Sequence, residues 1–427
     1  MRMKIGFCKA HFAQGLMMGK LIIAAAAVML VCVTAAGAQV TETPNFSFNG
    51  FGTFGVVRSD EDQADFASNL FSPDGAGYTR DWSPEVDNVL GLQLTANLTS
   101  RLTGILQVVS KQRYDETYTP FVEWANLKFD ITPDLSVRAG RMVQQTFMVS
   151  EYRKVRYATP WIRPPKEVYD MIPVTNADGI DFSYRFHFDG FTNTLRGLYG
   201  TRDVNIPDGS EANARDVVVL SNTLERGAAT LFACYGSFRL TMKDFDPFFD
   251  AFRQFGEEGE AIADRYDIGG KRFEIMSFGS RYDPGKWFVM GEWALAKTRT
   301  FIGDIEGLYI TGGYRFGEVT PYMTLARARP YSDTSDPGLS LAGLSPEQAA
   351  QAEALNAALN EMLGSATNQK SISVGVRWDF IRNADLKVQY QYLDLGDGSP
   401  GVLINRQPGF EPGGSVNLFS AAIDFVF

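Results

Sequence analysis

The stretch Ser415-Val-Asn-Leu-Phe-Ser-Ala-Ala-Ile-Asp-Phe-Val-Phe427 alternates without interruption and ends on an aromatic residue. Successive side chains on a β-strand point to opposite faces, so Phe419, Ala421, Ile423, Phe425 and Phe427 share one face. Ser420, Ala422 and Asp424 take the other. One side of such a strand needs an apolar surrounding, and the other tolerates water.

Working outward, the same alternation recurs in about sixteen segments close to the 9 to 11 residues that a tilted strand needs to cross a bilayer. They lie near 46–57, 88–98, 102–113, 118–130, 135–146, 178–188, 191–204, 215–224, 228–243, 271–283, 286–298, 304–316, 318–329, 369–381, 384–395 and 415–427. Connections after the even-numbered segments are short and rich in turn residues: Thr99-Ser100-Arg101, Thr132-Pro133-Asp134, Asp189-Gly190, Glu225-Arg226-Gly227, Asp283-Pro284-Gly285, Gly317 and Arg382-Asn383. Those after the odd-numbered segments are mostly long. This asymmetry, with an even strand count, predicts an all-β, transmembrane, antiparallel up-and-down barrel of sixteen strands.

The apolar stripes fit lipid contact. Leu90, Leu92, Leu94, Ala96 and Leu98 form one; Ile180, Phe182, Tyr184, Phe186 and Phe188 another; Ile372, Val374, Val376, Trp378 and Phe380 a third. A water-soluble barrel would turn such stripes inward, and alternation alone does not separate the two cases. Aromatic residues near strand ends, Tyr390, Tyr392, Trp287 and Trp293, favour the lipid-facing assignment, because aromatic girdles mark membrane interfaces.

The N-terminal region agrees. Arg2, Lys4, Lys9 and Lys20 precede an apolar run from Leu21 to Val33, and Ala36-Gly37-Ala38 supplies small residues for cleavage after Ala38. The run is shorter than the roughly 20 residues of a membrane anchor. The expected organisation is therefore a cleaved signal peptide, 1–38, and a barrel domain, 39–427. The stretch before Met17 is long for an n-region, so Met17 and Met18 are candidate starts. Two of the three cysteines leave with the leader, and Cys234 alone makes no intramolecular disulfide. Losing four basic residues moves the formal charge from −10 to about −14, which argues against nucleic acid as a partner.

One helix is expected. Ser345-Pro346-Glu347-Gln348 combines an N-cap serine, a proline at the first helical position and a capping-box glutamine, and an Ala/Leu-rich run continues to Leu363. It lies in the longest loop and reads as a surface helix over the barrel mouth.

The third long connection carries the densest signature: Tyr157-Ala-Thr-Pro-Trp-Ile-Arg-Pro-Pro-Lys-Glu-Val-Tyr-Asp170. Here the sequence resembles the trimeric sixteen-stranded porins of Gram-negative bacteria, and more closely a porin group with this W-x-R-P-P-x-E-V-Y loop. The resemblance covers essentially the whole mature chain. It implies a third loop folded into the lumen, with Arg153, Lys154, Arg156, Trp161, Arg163, Lys166, Glu167 and Asp170 at or near a pore constriction. It also implies a homotrimer in the outer membrane, contacts with lipid and lipopolysaccharide, and assembly-machinery recognition of the C-terminal strand. Independently, prolines 160, 164 and 165 stiffen the loop and withhold backbone donors, while Trp161, Tyr157 and Tyr169 offer apolar area to pin it to a wall.

Alternation places Arg113, Arg138, Arg185, Arg196, Arg239, Arg315, Arg377 and Lys387 on polar faces, against Asp181, Glu292, Asp379 and Asp424. The expected lumen lining is basic, which favours anions. The loop from Asp244 to Gly270 is acidic instead, with Asp244, Asp246, Asp250, Glu257, Glu258, Glu260, Asp264 and Asp267, and reads as solvated surface or as sites for divalent bridges to lipopolysaccharide.

Catalysis is poorly supported. His187 is the one histidine left after the leader, and although Asp181, Ser183 and His187 share a strand face, residues two apart are about 7 Å distant, too far for a relay. Gly50-Phe-Gly52-Thr-Phe-Gly55 matches a dinucleotide fingerprint formally but sits inside a strand with no helix following. Neither a cofactor nor a metal is expected, since histidine and cysteine clusters with zinc spacing are missing. The sequence thus implies a non-enzymatic, anion-leaning porin for passive diffusion of small hydrophilic solutes, with a solute-specific channel for organic acids or other anions as the alternative and an outer-membrane hydrolase barrel as a more remote one.

Overall fold

A computed structural model of the chain describes residues 45–206 and 210–427. The expected leader lies outside the described residues. Sixteen long strands follow in order: β1 (Asn45–Ser59), β2 (Val89–Asn97), β3 (Leu102–Lys111), β4 (Phe121–Asp130), β5 (Leu135–Val143), β6 (Asn176–Phe188), β7 (Phe191–Asn205), β8 (Glu211–Arg226), β9 (Ala229–Thr241), β10 (Lys271–Tyr282), β11 (Trp287–Lys297), β12 (Ile305–Tyr314), β13 (Val319–Pro330), β14 (Gln369–Ile381), β15 (Ala384–Leu395) and β16 (Ser415–Val426). Each pairs antiparallel with its sequence neighbour. The ring closes because β1 pairs with β2 from Asn45↔Asn97 to Thr53↔Val89 and with β16 from Phe51↔Val426 to Ser59↔Leu418. A closed sheet has no edge, the condition for strands in hydrocarbon.

Burial settles which stripe faces out. Ile180 is 59% exposed, and Phe182, Tyr184, Phe186 and Phe188 share its outer face. On β14, Ile372, Val374, Val376 and Trp378 are exposed while Ser371 and Ser373 are buried. Apolar residues coat the outside and polar ones line the inside, the inverse of a soluble barrel and the pattern that lipid requires. In β16, Phe419 and Ile423 face out, whereas Asp424 is fully buried inside.

Close approach shapes the seam. The ring of Phe425 lies across Gly52, directly opposite in register, and a Cβ there would sit 2.3 Å from Cζ. Gly52 and Gly50 therefore form a trough for the rings of Phe425 and Phe427. A second glycine row, Gly140, Gly179 and Gly200, crosses β5, β6 and β7 in register.

Short turns join the strands at one rim and long loops at the other. The third long loop, 144–175, contains helix α1 (Lys166–Tyr169). The fifth keeps nearly all of its acids exposed, as their number predicts, and folds into α2 (Asp246–Arg253) and α3 (Gly256–Tyr266), which that number does not reveal. Pro247 opens α2, and the spacing of Phe248, Phe249 and Phe252 carries the helical signal that the acidic count masked. Helix α4 (Pro346–Gly364) of the seventh loop has the expected capping box: Gln348 N donates to Ser345 Oγ at 3.3 Å and Ser345 N to Gln348 Oε1 at 3.1 Å. Phe249, Phe252, Ile262, Leu339, Leu359 and Leu363 join the three helices in one apolar core above the long-loop rim.

A Cβ at Gly179 would lie 2.0 Å from Tyr199 O and 2.6 Å from Gly200 Cα, backbone that cannot step aside. Gly179→Ala should cost at least about 1–3 kcal/mol and reduce the refolded fraction in a heat-modifiability assay. Gly269→Ala, with nothing within 4 Å, should leave that fraction unchanged.

Candidate functional site

The third loop enters the barrel and packs on its inner wall. Trp161 is 1% exposed, and its Nε1 donates to Thr311 Oγ1 at 2.9 Å and Thr324 Oγ1 at 3.1 Å. Its ring meets Tyr309 edge-on at 5.6 Å. Glu292 on β11 accepts from Met148 N (2.6 Å), Tyr169 Oη (2.7 Å) and Tyr309 Oη (3.2 Å). Around these bonds Phe147, Val149, Val168 and Ile172 join wall residues of β7 to β13 in an apolar core inside the lumen. Burying side chains of this size contributes about 1.5–3 kcal/mol each.

Ion pairs fasten the other flank. Arg163 grips Asp87 through Nε (3.0 Å) and Nη2 (2.5 Å), and Nη2 also donates to Ser420 Oγ at 2.9 Å. Lys166 donates to the carbonyls of Ala67 (2.9 Å) and Ser68 (3.2 Å) and pairs with Asp170. Glu167 accepts from Gln369 Nε2 at 2.7 Å. Lys387, fully buried, donates to the carbonyls of Arg156 (2.7 Å) and Trp161 (3.1 Å) and pairs with Asp424 at 2.8 Å. Arg377 Nη1 reaches Tyr157 O at 2.6 Å.

These contacts change the expected roles. Arg163 and Lys166, with Trp161 and Glu167, are turned into the loop's footings, and the two cationic side chains are only 6% and 5% exposed. A paired charge held away from water presents little field to a passing ion.

A different group of basic side chains is gathered around Lys111: Lys154, Arg153 and Arg156, with Glu123 among them. Lys154 is neutralised by Glu123 at 2.5 Å, and Arg141 and Arg202 share Asp178 at 2.7 and 3.6 Å. Lys111, Arg153 and Arg156 form no salt bridge among the described residues. Arg153 only reaches the carbonyls of Ile172 and Tyr169 at 3.5 Å and lies over the Tyr169 ring. Arg156 Nε and Nη1 are buried without any acceptor. Burial pushes the Arg156 guanidinium down to about 10, so it stays protonated at neutral pH. Lys111 carried a signal that sequence reading passed over, since it shares a face with Arg113 two residues on.

Of the expected lumen residues, Arg138 faces inward and pairs with Asp181 at 2.5 Å, and Arg196 pairs with Glu151 at 2.6 Å. Arg185 shares their inward face and is exposed near the short-turn rim. Arg113 lies past the end of β3, 3.6 Å from Asp115. Arg239 departs from expectation: it shares the outward face of β9 with exposed Leu231, and its Nε donates to Asp216 at 2.8 Å. The inward face of β9 is apolar there, with Phe232 and Cys234, so polarity alone gives the wrong side. His187 Nδ1 contacts Thr192 Oγ1 at 3.1 Å while Asp181 is committed to Arg138, so the two make no relay.

On the short-turn side of the loop lies a cavity of ≈ 220 Å³, lined in part by Arg281, Arg315, Arg377 and Asp379. Arg315 Nη1 and Nη2 donate to Asp283 at 2.7 and 2.9 Å, and Arg281 adds a bond at 2.6 Å. Arg315 first, then Arg281, holds the Asp283 carboxyl well below the usual carboxylate range.

Removing Arg163 by Arg163→Met leaves Asp87 buried and unpaired and should cost about 3–5 kcal/mol, read as a lower unfolding midpoint; the double variant with Asp87→Leu should recover most of it. Asp283 is charged more readily folded than unfolded, so its contribution is complete above the unfolded value near 3.9 and is lost as pH falls through the lower folded one. Asp283→Asn should therefore be less stable than the parent at pH 7, and the two unfolding midpoints should converge as pH drops toward 2.

The chain shares its fold with solved outer-membrane barrels. It is similar to OmpF of Salmonella typhi, solved in complex with daunomycin, with a TM-score of 0.54 and 14% identity over 90% of this chain and 97% of that one. It is similar to the outer membrane channel DcaP of Acinetobacter baumannii, with 0.53 and 10% over 92% and 100%. A loop-deletion mutant of OmpT, an outer membrane protein of Vibrio cholerae, gives 0.51 and 11% over 90% and 100%. No family model and no curated protein matches the sequence.

Proposed function

We propose that the chain is an outer-membrane porin through which small hydrophilic solutes diffuse passively, with a preference for anions. The closed barrel, its apolar exterior and its fold likeness to outer-membrane porins and channels support the first part. One observation carries the second: Arg153 and Arg156, cations of the third loop with no salt bridge among the described residues, are held inside the barrel. Unpaired cations in a low-dielectric passage lower the barrier for anions and raise it for cations. Export by a leader cleaved after Ala38, assembly through the C-terminal strand and a homotrimeric state belong to the same reading.

The cluster also favours a second reading, a channel specific for organic acids. Arg156 keeps two buried N–H groups, Nε and Nη1, without an acceptor among the described residues, donors of the kind that a carboxylate satisfies. A general porin conducts without saturation, whereas a specific one shows concentration-dependent block of small-ion current by its solute. The hydrolase alternative has no acid–base pair to support it at His187.

In planar bilayers under a salt gradient, reversal potentials at neutral pH should report anion preference, and Arg153→Glu with Arg156→Glu should move the potential toward cation preference. Cation preference in the parent protein would overturn the charge assignment.

A further inference from the structure

Glu123 owes its place inside the barrel to an irregularity in β4. Lys128 of β4 stands opposite inward-facing Arg138 of β5, and counting back by twos reaches Asn126 and Trp124, which leaves Glu123 on the lipid face. The β3–β4 register breaks at that point, from Gln107↔Trp124 to Val108↔Val122, so Glu123 is the extra residue of a bulge. A bulge re-aims the side chain it carries. Here it turns a carboxylate away from hydrocarbon and toward the third loop, where Glu123 accepts from Thr175 Oγ1 at 2.6 Å and pairs with Lys154 at 2.5 Å. Lys154 Nζ donates to the same Thr175 Oγ1 at 2.8 Å.

What Glu123 meets there is positive. Lys111, Arg153, Lys154 and Arg202 all lie within reach of its charge, and Arg156 adjoins Lys111. All five cations keep partial exposure, so none is sealed in protein. Other acids near them are already paired: Asp170 beside Arg153 with Lys166, and Asp87 and Asp424 beside Arg156 with Arg163 and Lys387. Asp178, near Arg202, is shared with Arg141. Glu123 is thus a carboxylate set within a surplus of cations.

Such a surplus has an optimum. A path conducts when an ion binds well enough to enter and weakly enough to leave. Half-buried cations with no carboxylate among them would hold an anion in a deep well, because attraction grows as water is excluded. One fixed negative charge makes that well shallower.

We propose that Glu123 is a specificity-determining residue of the channel, the fixed negative charge that limits how tightly the basic cluster holds a passing anion. This rests on the anion-leaning porin reading and deepens it, since preference is then set by the difference between the cluster and Glu123 rather than by the cluster alone.

The test uses the full-length protein in planar bilayers, with reversal potentials under a KCl gradient for the chloride-to-potassium permeability ratio and conductance at rising KCl for saturation. Glu123→Gln should raise the ratio at least about twofold and make the conductance level off at lower salt. Lys154→Met should lower the ratio, and Lys154→Met/Glu123→Gln should bring it back toward the parent value. That second step removes the same carboxylate without leaving Lys154 unpaired, so it carries the test if Glu123→Gln alone fails to fold. Folded variants in which neither removal of the carboxylate moves the ratio, or in which conductance saturates no earlier without it, overturn the role of Glu123 and leave the porin reading standing. A parent without current, or one that prefers potassium, overturns the anion-leaning porin reading itself and the proposal with it.

Discussion

Closure of the sheet between β1 and β16 is the constraint on which the rest depends. A strand edge in hydrocarbon would leave backbone N–H and C=O groups unpaired at several kcal/mol each, so the first and last strands must meet in register. Two devices hold that seam. On the outer face, the rings of Phe425 and Phe427 lie across Gly52 and Gly50. On the inner face, Asp424 of β16 accepts from Thr53 of β1 and pairs with Lys387 of β15.

The third loop is fastened to the same place. Arg163 bonds Ser420 of β16 as well as Asp87, and Lys387 holds two carbonyls of the loop while neutralising Asp424. Desolvation makes such buried pairs expensive, and their value lies in geometry as much as in stability. They hold the loop as a fixed partition, and the tyrosine and glutamate contacts on the opposite wall do the same from the other side. Charge is thereby sorted into two populations. Arg163, Lys166, Arg377 and Lys387 are consumed in anchoring, whereas Lys111, Arg153 and Arg156 form no salt bridge among the described residues.

Much of the fold was legible because a barrel strand writes its two environments into alternate residues. All sixteen segments, their short and long connections, the lipid-facing stripes and the cap of α4 follow from period two, turn residues and a capping box. The failures have physical reasons too. Acidic residues hid α2 and α3, since charge count says nothing of the Phe248, Phe249 and Phe252 spacing. Arg239 defeats the polarity rule because polarity marks a face only where the opposite face is clearly apolar, and β9 puts Phe232 and Cys234 inside.

The sequence by itself determined the wall: strand number, wiring, which residues share a face and which loop is long, stiff and charged. Those are local properties, set by the steric alternation of a strand and the dihedral preferences of turn residues. Only the tertiary structure decided which charges are free. Arg163 and Arg156 stand seven residues apart in one loop and look alike in sequence, yet one pairs with Asp87 from the first long loop and the other forms no salt bridge among the described residues. Pairing depends on what a distant segment brings within 4 Å, and no local pattern encodes that distance.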